Sequence, residues 1–289
     1  MRYLTRLIVP QASQLAFYRR AKFEILLAIP PTHSVCGMEI SVKNIKAVLF
    51  DLDGTIYYGN KMIDGADSVV KRFRDEGKKV FFMTNNSTKS RKEIYDKLCN
   101  MGLECYEDEV YTSGYAAALY AKEKGFETVY ICGTSGLADE FDKAGIRISD
   151  KADVVVVGYD MDFDYKKLTD ALQVALNAKA VIACNREKHY PGEGAKRMPG
   201  CGAMVGALEG CTGRVADYVV GKPNPLLLEI ICHQQGLSKD DIMVIGDTYE
   251  SDIKMSNEYG CESIYIGNEK HDDTITVKDI REVNELWEI

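Results

Sequence analysis

The run VLFDLDGTIYYG, from Val48 to Gly59, ends an apolar segment in two aspartates, Asp51 and Asp53, separated by one leucine. Residues i and i+2 of an extended chain point the same way, so the two carboxylates can address one small object together. Gly54 and Thr55 then let the chain turn sharply. Taken alone, the same residues also read as a turn whose aspartates cap backbone amides. Carboxylates this close do not ionise independently, and their surroundings push their pKa values apart, one toward a nucleophile or metal ligand and the other toward an acid.

Further polar residues follow strand-like runs. Asp247 and Asp252 lie in GDTYESD after IMVIG, and Lys222 lies in GKPNP after YVVG. Thr84, Asn85 and Asn86 follow KVFFM. An all-oxygen donor cluster of Asp51, Asp53 and Asp247 repels itself without a cation, and hard ligands lacking histidine or cysteine favour Mg2+. Asp252 reads either as support for that metal or as a helix N-terminal charge. Lys222, next to Pro223, suits a fixed positive charge. Thr84, Asn85 and Asn86 offer a hydroxyl and amide donors for phosphate oxygens. They also read as a helix start, with Ser87 or Thr88 capping KSRKEIYDKL.

The elements that must hold these groups alternate. Short apolar runs such as TVYICG, VVVVG, AVIAC and SIYIG are separated by segments with helical spacing, among them Ala66–Glu76, Lys89–Met101, Gly114–Lys124, Tyr165–Asn177, Pro225–Gln235 and Ser251–Tyr259. That alternation predicts an α/β fold with a doubly wound, mostly parallel sheet, a Rossmann-like core with ligands beyond the carboxyl ends of its strands. More than a hundred residues separate the TNN segment from Lys222, too many for one crossover, and they carry strand and helix signals of their own. We therefore expect a core from 41–124 and 218–289, with an inserted α/β cap domain over 125–217. Such a cap can exclude water and choose the leaving group. Its expected contact loop is NREKHYPGEGAKRMPGCGAM, Asn185–Met204, with Arg186, His189, Tyr190, Lys196 and Arg197 as candidates. His189 has no ligand-spaced histidine and is not assigned to a metal.

The chain has 289 residues and a formal net charge of -8, which argues against non-specific nucleic-acid binding. Its nine cysteines are scattered without a CxxC pair, which fits neither a zinc site nor a secreted disulfide framework and points to the cytoplasm. No apolar run is long enough to span a membrane. No Walker loop or GxGxxG follows a strand. The first 37 residues carry five basic side chains against the single acid Glu24. Residues 1–40 are expected to be an extension outside the fold, with Met38 as the working start, and a targeting leader as the other reading.

DLDGT, TNNST, GKPNP and GDTYESDI, in this order, resemble the four motifs of the haloacid-dehalogenase-like hydrolase superfamily, and TNNS and the spacing resemble its NagD-type branch. The resemblance covers roughly residues 44–289. It implies a magnesium-dependent phosphatase acting on small phosphomonoesters: sugar phosphates first, then nucleoside monophosphates, glycerol phosphate-like compounds, pyridoxal phosphate or 4-nitrophenyl phosphate. By it, Asp51 is the nucleophile that forms an aspartyl-phosphate and Asp53 the acid and then the base. Thr84 and Lys222 hold the phosphoryl group, and Asn85 orients the nucleophile or substrate. Magnesium sits on Asp51, the Asp53 carbonyl and Asp247, with Asp252 supporting. Dehalogenation does not need Asp53. The alternatives are a phosphomutase or phosphotransferase, and a catalytically silent regulatory binding protein on the same fold. The branch also implies a homodimer through the cap.

Overall fold

Strand β1 (Ala47–Asp51) shows no polar alternation because it is buried on both faces. Ala47 and Leu49 join one apolar cluster, while Val48 and Phe50 join another. A central parallel strand requires this. The computed structural model describes residues 45–191 and 196–287. The expected N-terminal extension and Met38 lie outside the described residues.

After β1 come a hairpin of β2 (Tyr57–Tyr58) and β3 (Lys61–Met62), then α1 (Ala66–Asp75), β4 (Lys79–Thr84), α2 (Arg91–Asn100), β5 (Val110–Thr112) and α3 (Ser113–Glu123). The chain continues through β6 (Thr128–Cys132), α4 (Ser135–Lys143), β7 (Arg147–Ile148), β8 (Val154–Val157), α5 (Tyr165–Ala175) and β9 (Ala180–Ala183). A second hairpin, β10 (His189–Pro191) and β11 (Arg197–Pro199), leads to α6 (Cys201–Thr212) and β12 (Tyr218–Val219). The last elements are α7 (Leu226–Gln235), β13 (Ile242–Gly246), α8 (Lys254–Tyr259), β14 (Glu262–Ile266) and β15 (Ile275–Val277).

These strands form a six-stranded sheet in the order β15-β14-β13-β1-β4-β5 and a five-stranded sheet in the order β12-β9-β8-β6-β7. Every pairing in both is parallel. The fold is α/β, a doubly wound core with an inserted α/β cap. In the first sheet β1 lies between β4 and β13, so the connections leave β1 in opposite directions. That switch is where a crevice opens at the carboxyl ends of the strands.

The two sheets share packing. Val154 and Val156 of β8 belong to the same apolar cluster as Leu49, Val244 and Ala117 of the core, whereas Val155 and Val157 pack with Val174, Met204 and Leu208 of α5 and α6. Among the described residues no helix is long and apolar enough to cross a membrane.

Four local expectations change. The Asn185–Met204 loop contains the β10–β11 hairpin, and α6 starts inside it at Cys201. Three glycines in CGAMVGALEGCT mask this helix, yet its buried Cys201, Met204, Val205 and Leu208 keep helical spacing. Ser90, rather than Ser87 or Thr88, caps α2, in a reciprocal capping box with Glu93. The sequence reading assigns Tyr218 onward to the core, but β12 pairs with β9, so the second sheet claims two more residues before the chain crosses back. The expected Ser251–Tyr259 helix opens instead as a π-helical turn over Tyr249–Ile253.

Replacing the cap residue, Ser90→Ala, should lower unfolding stability by about 1 kcal/mol in a denaturant titration, whereas Thr88→Ala should not remove a helix cap.

Candidate active site

Four segments converge at the carboxyl end of the core sheet. Asp51 ends β1, Thr84 ends β4, and Asp247 directly follows β13. Lys222 comes from elsewhere: it follows β12 of the second sheet by three residues, so the positive charge reaches the carboxylates from the cap side.

The Lys222 ammonium, 4% exposed, is shared by two carboxylates. It donates to Asp51 Oδ1 and, at 2.6 Å, to Asp252 Oδ1. Burial works against this ammonium, but Asp252 and Asp51 outweigh it and raise its pKa. Asp252 is fully buried on the π-helical turn, a distortion frequent at functional sites. The backbone N–H of Thr248 also donates to its Oδ2 at 3.2 Å. Gly246 makes this approach possible, since a Cβ there would lie 2.5 Å from Asp252 Cγ.

Asp51, Asp247 and Asp252 bring one carboxylate oxygen each to within 4.8 Å of one another. Three carboxylates face one ammonium. Burial, followed by the neighbouring Asp252, lifts Asp247 to about 6, while burial lifts Asp51 well above the ordinary range despite Lys222. A donor set of oxygens alone, crowded and short of positive charge, fits a hard divalent cation. Gly54, with φ +100, closes the turn after Asp53, and a Cβ there would sit 2.1 Å from Asp247 Oδ2.

Asp53 opens to solvent at the mouth of the site. Partial desolvation of its carboxyl raises its pKa, opposed by Lys97 and by a hydrogen bond from the Tyr57 hydroxyl to Oδ2 at 3.2 Å. The Lys97 ammonium stands 3.5 Å from the centre of the Tyr57 ring. Sequence reasoning missed both neighbours. Tyr57 lies within the quoted run but carries no spacing signal, and Lys97 reaches the site only through the packing of α2.

Beyond β4 the three polar residues diverge. The Thr84 hydroxyl accepts the Asn86 N–H at 3.0 Å and keeps its own proton to donate. Asn86 Oδ1 accepts from the N–H and hydroxyl of Thr88, both at 2.9 Å, and so organises the loop. Asn85 is buried and bonded to Lys222 and Glu187. This loop is tied to the second sheet's segment. The Thr134 hydroxyl donates to Thr88 O at 2.7 Å, the Tyr159 N–H to Ser87 Oγ at 2.8 Å, and the Arg91 N–H to Glu140 at 2.5 Å.

The cap candidates are not gathered on one point. Arg186 pairs with Glu209 of α6, and the Tyr190 hydroxyl bonds that of Tyr159 at 2.6 Å. His189, Lys196 and Arg197 are exposed on or beside the hairpin.

Two sequence families match. A haloacid dehalogenase-like hydrolase family covers residues 48–147, and a related HAD-hydrolase-like family covers 219–285. The chain is 36% identical over 223 residues to the sugar-phosphatase AraL of Bacillus subtilis, covering 76% of this chain and 82% of that protein. Among solved structures, the p-nitrophenyl phosphatase from Archaeoglobus fulgidus superposes with a TM-score of 0.77 at 31% identity, covering 84% of this chain and 99% of that one. A glycerol phosphate phosphatase from Mycobacterium tuberculosis, in complex with magnesium, superposes at 0.74 with 28% identity, covering 83% and 77%.

A carboxyl raised by burial takes up protons on folding, so stability falls as pH rises from the ordinary aspartate range through about 6. In metal-free buffer, Asp247→Asn should therefore gain stability relative to the parent as pH rises from 4 to 7. Thermal denaturation of both proteins across that range checks this, and added magnesium should stabilise the parent more at pH 7 than at pH 4.

Proposed function

The chain belongs to the NagD-type branch of the haloacid dehalogenase-like hydrolases and is a phosphoric monoester hydrolase, and from that premise we propose a magnesium-dependent phosphatase of small metabolites working through an aspartyl-phosphate. Sugar phosphates are its first substrates. The observation that carries the reading is the Lys222 ammonium held between Asp51 and Asp252 with Asp247 alongside.

Thr84 and Lys222 bind the phosphoryl oxygens, and Asp51 attacks phosphorus in line with the leaving oxygen. Asp53, whose hold on a proton is strengthened by desolvation, gives its proton to that oxygen. The same carboxylate then takes a proton from water as the water attacks the acyl-phosphate, releasing phosphate and restoring Asp51. Asp51, Asp247 and the Asp53 carbonyl would hold the magnesium, with Asp252 fixing Lys222 beside them. The metal supplies charge neutralisation for the carboxylates and the transferring oxygens.

The segment 125–217 acts as the cap that selects the leaving group, with the β10–β11 hairpin as its contact element. On the same reading, two caps pair in a homodimer. The free cysteines of the described residues support a reducing cytoplasm.

Phosphate release from a panel of phosphomonoesters should require magnesium and rank sugar phosphates first. Asp51→Asn should lose on the order of 10³ or more in rate. Release unaffected by that substitution or by chelation would overturn the covalent mechanism.

A further inference from the structure

Asn85 has no amide hydrogen left for a substrate. One Nδ2 hydrogen goes to Lys222 O at 3.1 Å and the other to Glu187 Oε1 at 2.9 Å, while Oδ1 accepts the Lys222 N–H at 2.8 Å. An amide group owns two donors, and both are spent. The backbone of Lys222 is thus gripped on both its N–H and its C=O by one buried side chain, and the far end of that grip is a carboxylate from the cap segment.

Glu187 is itself fixed. Its N–H donates to Asn185 Oδ1 at 3.0 Å, and its carbonyl accepts from Gly202 N–H at the start of α6 at 2.9 Å. Asn185, 2% exposed, returns to the core by donating to Asn85 O at 2.8 Å. The neighbouring Arg186 turns the other way, to Glu209. The turn before the hairpin therefore presents one carboxylate to the core, and it lands on the residue that holds the backbone of Lys222.

We infer that Glu187 is a positioning residue for phosphate capture: through Asn85 it sets the backbone of Lys222, and so links the seating of the cap turn to the grip of the ammonium on a phosphoryl group. The inference rests on the phosphatase reading for its physiological meaning, but phosphate binding alone tests it. A residue that contacts only the leaving group has no effect on inorganic phosphate, which has none.

The experiment is calorimetric binding of inorganic phosphate, with magnesium present, to the full chain and to Glu187→Ala and Glu187→Gln, alongside steady-state kinetics on 4-nitrophenyl phosphate. Glutamine keeps an oxygen that accepts from Asn85; alanine does not. Glu187→Ala should weaken phosphate binding about fivefold, the worth of one hydrogen bond of ordinary net strength, and raise KM with it, while Glu187→Gln stays near the parent. Thermal denaturation shows that both variants are folded. Equal phosphate binding in the parent and Glu187→Ala overturns the inference, and so does a glutamine variant as weak as the alanine one. A parent that binds phosphate but turns over no ester defeats the phosphatase reading and leaves the positioning role supported if the alanine variant still binds more weakly.

Discussion

One lysine among three buried or half-buried carboxylates is the constraint on which this structure turns. Removing charge from water is costly unless partners replace the water, and here a single ammonium serves both Asp51 and Asp252. Much of the surrounding backbone serves that arrangement. The π-helical turn carries the buried Asp252, and the parallel order places the ends of β1, β4 and β13 side by side. The positive charge has to come from outside that sheet, since its three adjoining strand ends are already taken by acids and a hydroxyl.

That origin ties the cap to the chemistry. Lys222 follows an edge strand of the second sheet, Asn85 reaches across to its backbone, and one apolar cluster runs from Leu49 and Val244 to Val154 and Val156. The cap segment and the core are therefore not joined by linkers alone. They meet in side-chain packing and in the hydrogen bonds around Ser87, Thr88 and Arg91.

The core and its acidic residues are readable in the sequence because they follow local rules. β1 is uninterruptedly apolar since both its faces are covered, and the groups at the ends of β1, β4 and β13 come directly after apolar runs. What escapes reading depends on distant packing. Lys97 meets Tyr57 only once α2 has docked, and Glu187 is one acid in a charged stretch until the turn aims it at Asn85. Helix α6 hides behind its glycines, although its apolar spacing is regular. Asn85 shows the limit most clearly, since its amide looks like a phosphate donor until its partners are seen.

Gly54 and Gly246 leave the acidic centre no spare room. A single methyl group at either position would land within 2.5 Å of an atom of Asp247 or Asp252. Any larger residue at these two points must displace a carboxylate, so the two glycines and the acidic centre are bound together in one constraint. The β10–β11 hairpin, with its exposed side chains, carries no such bar. The hairpin therefore tolerates side-chain changes that the acidic centre does not.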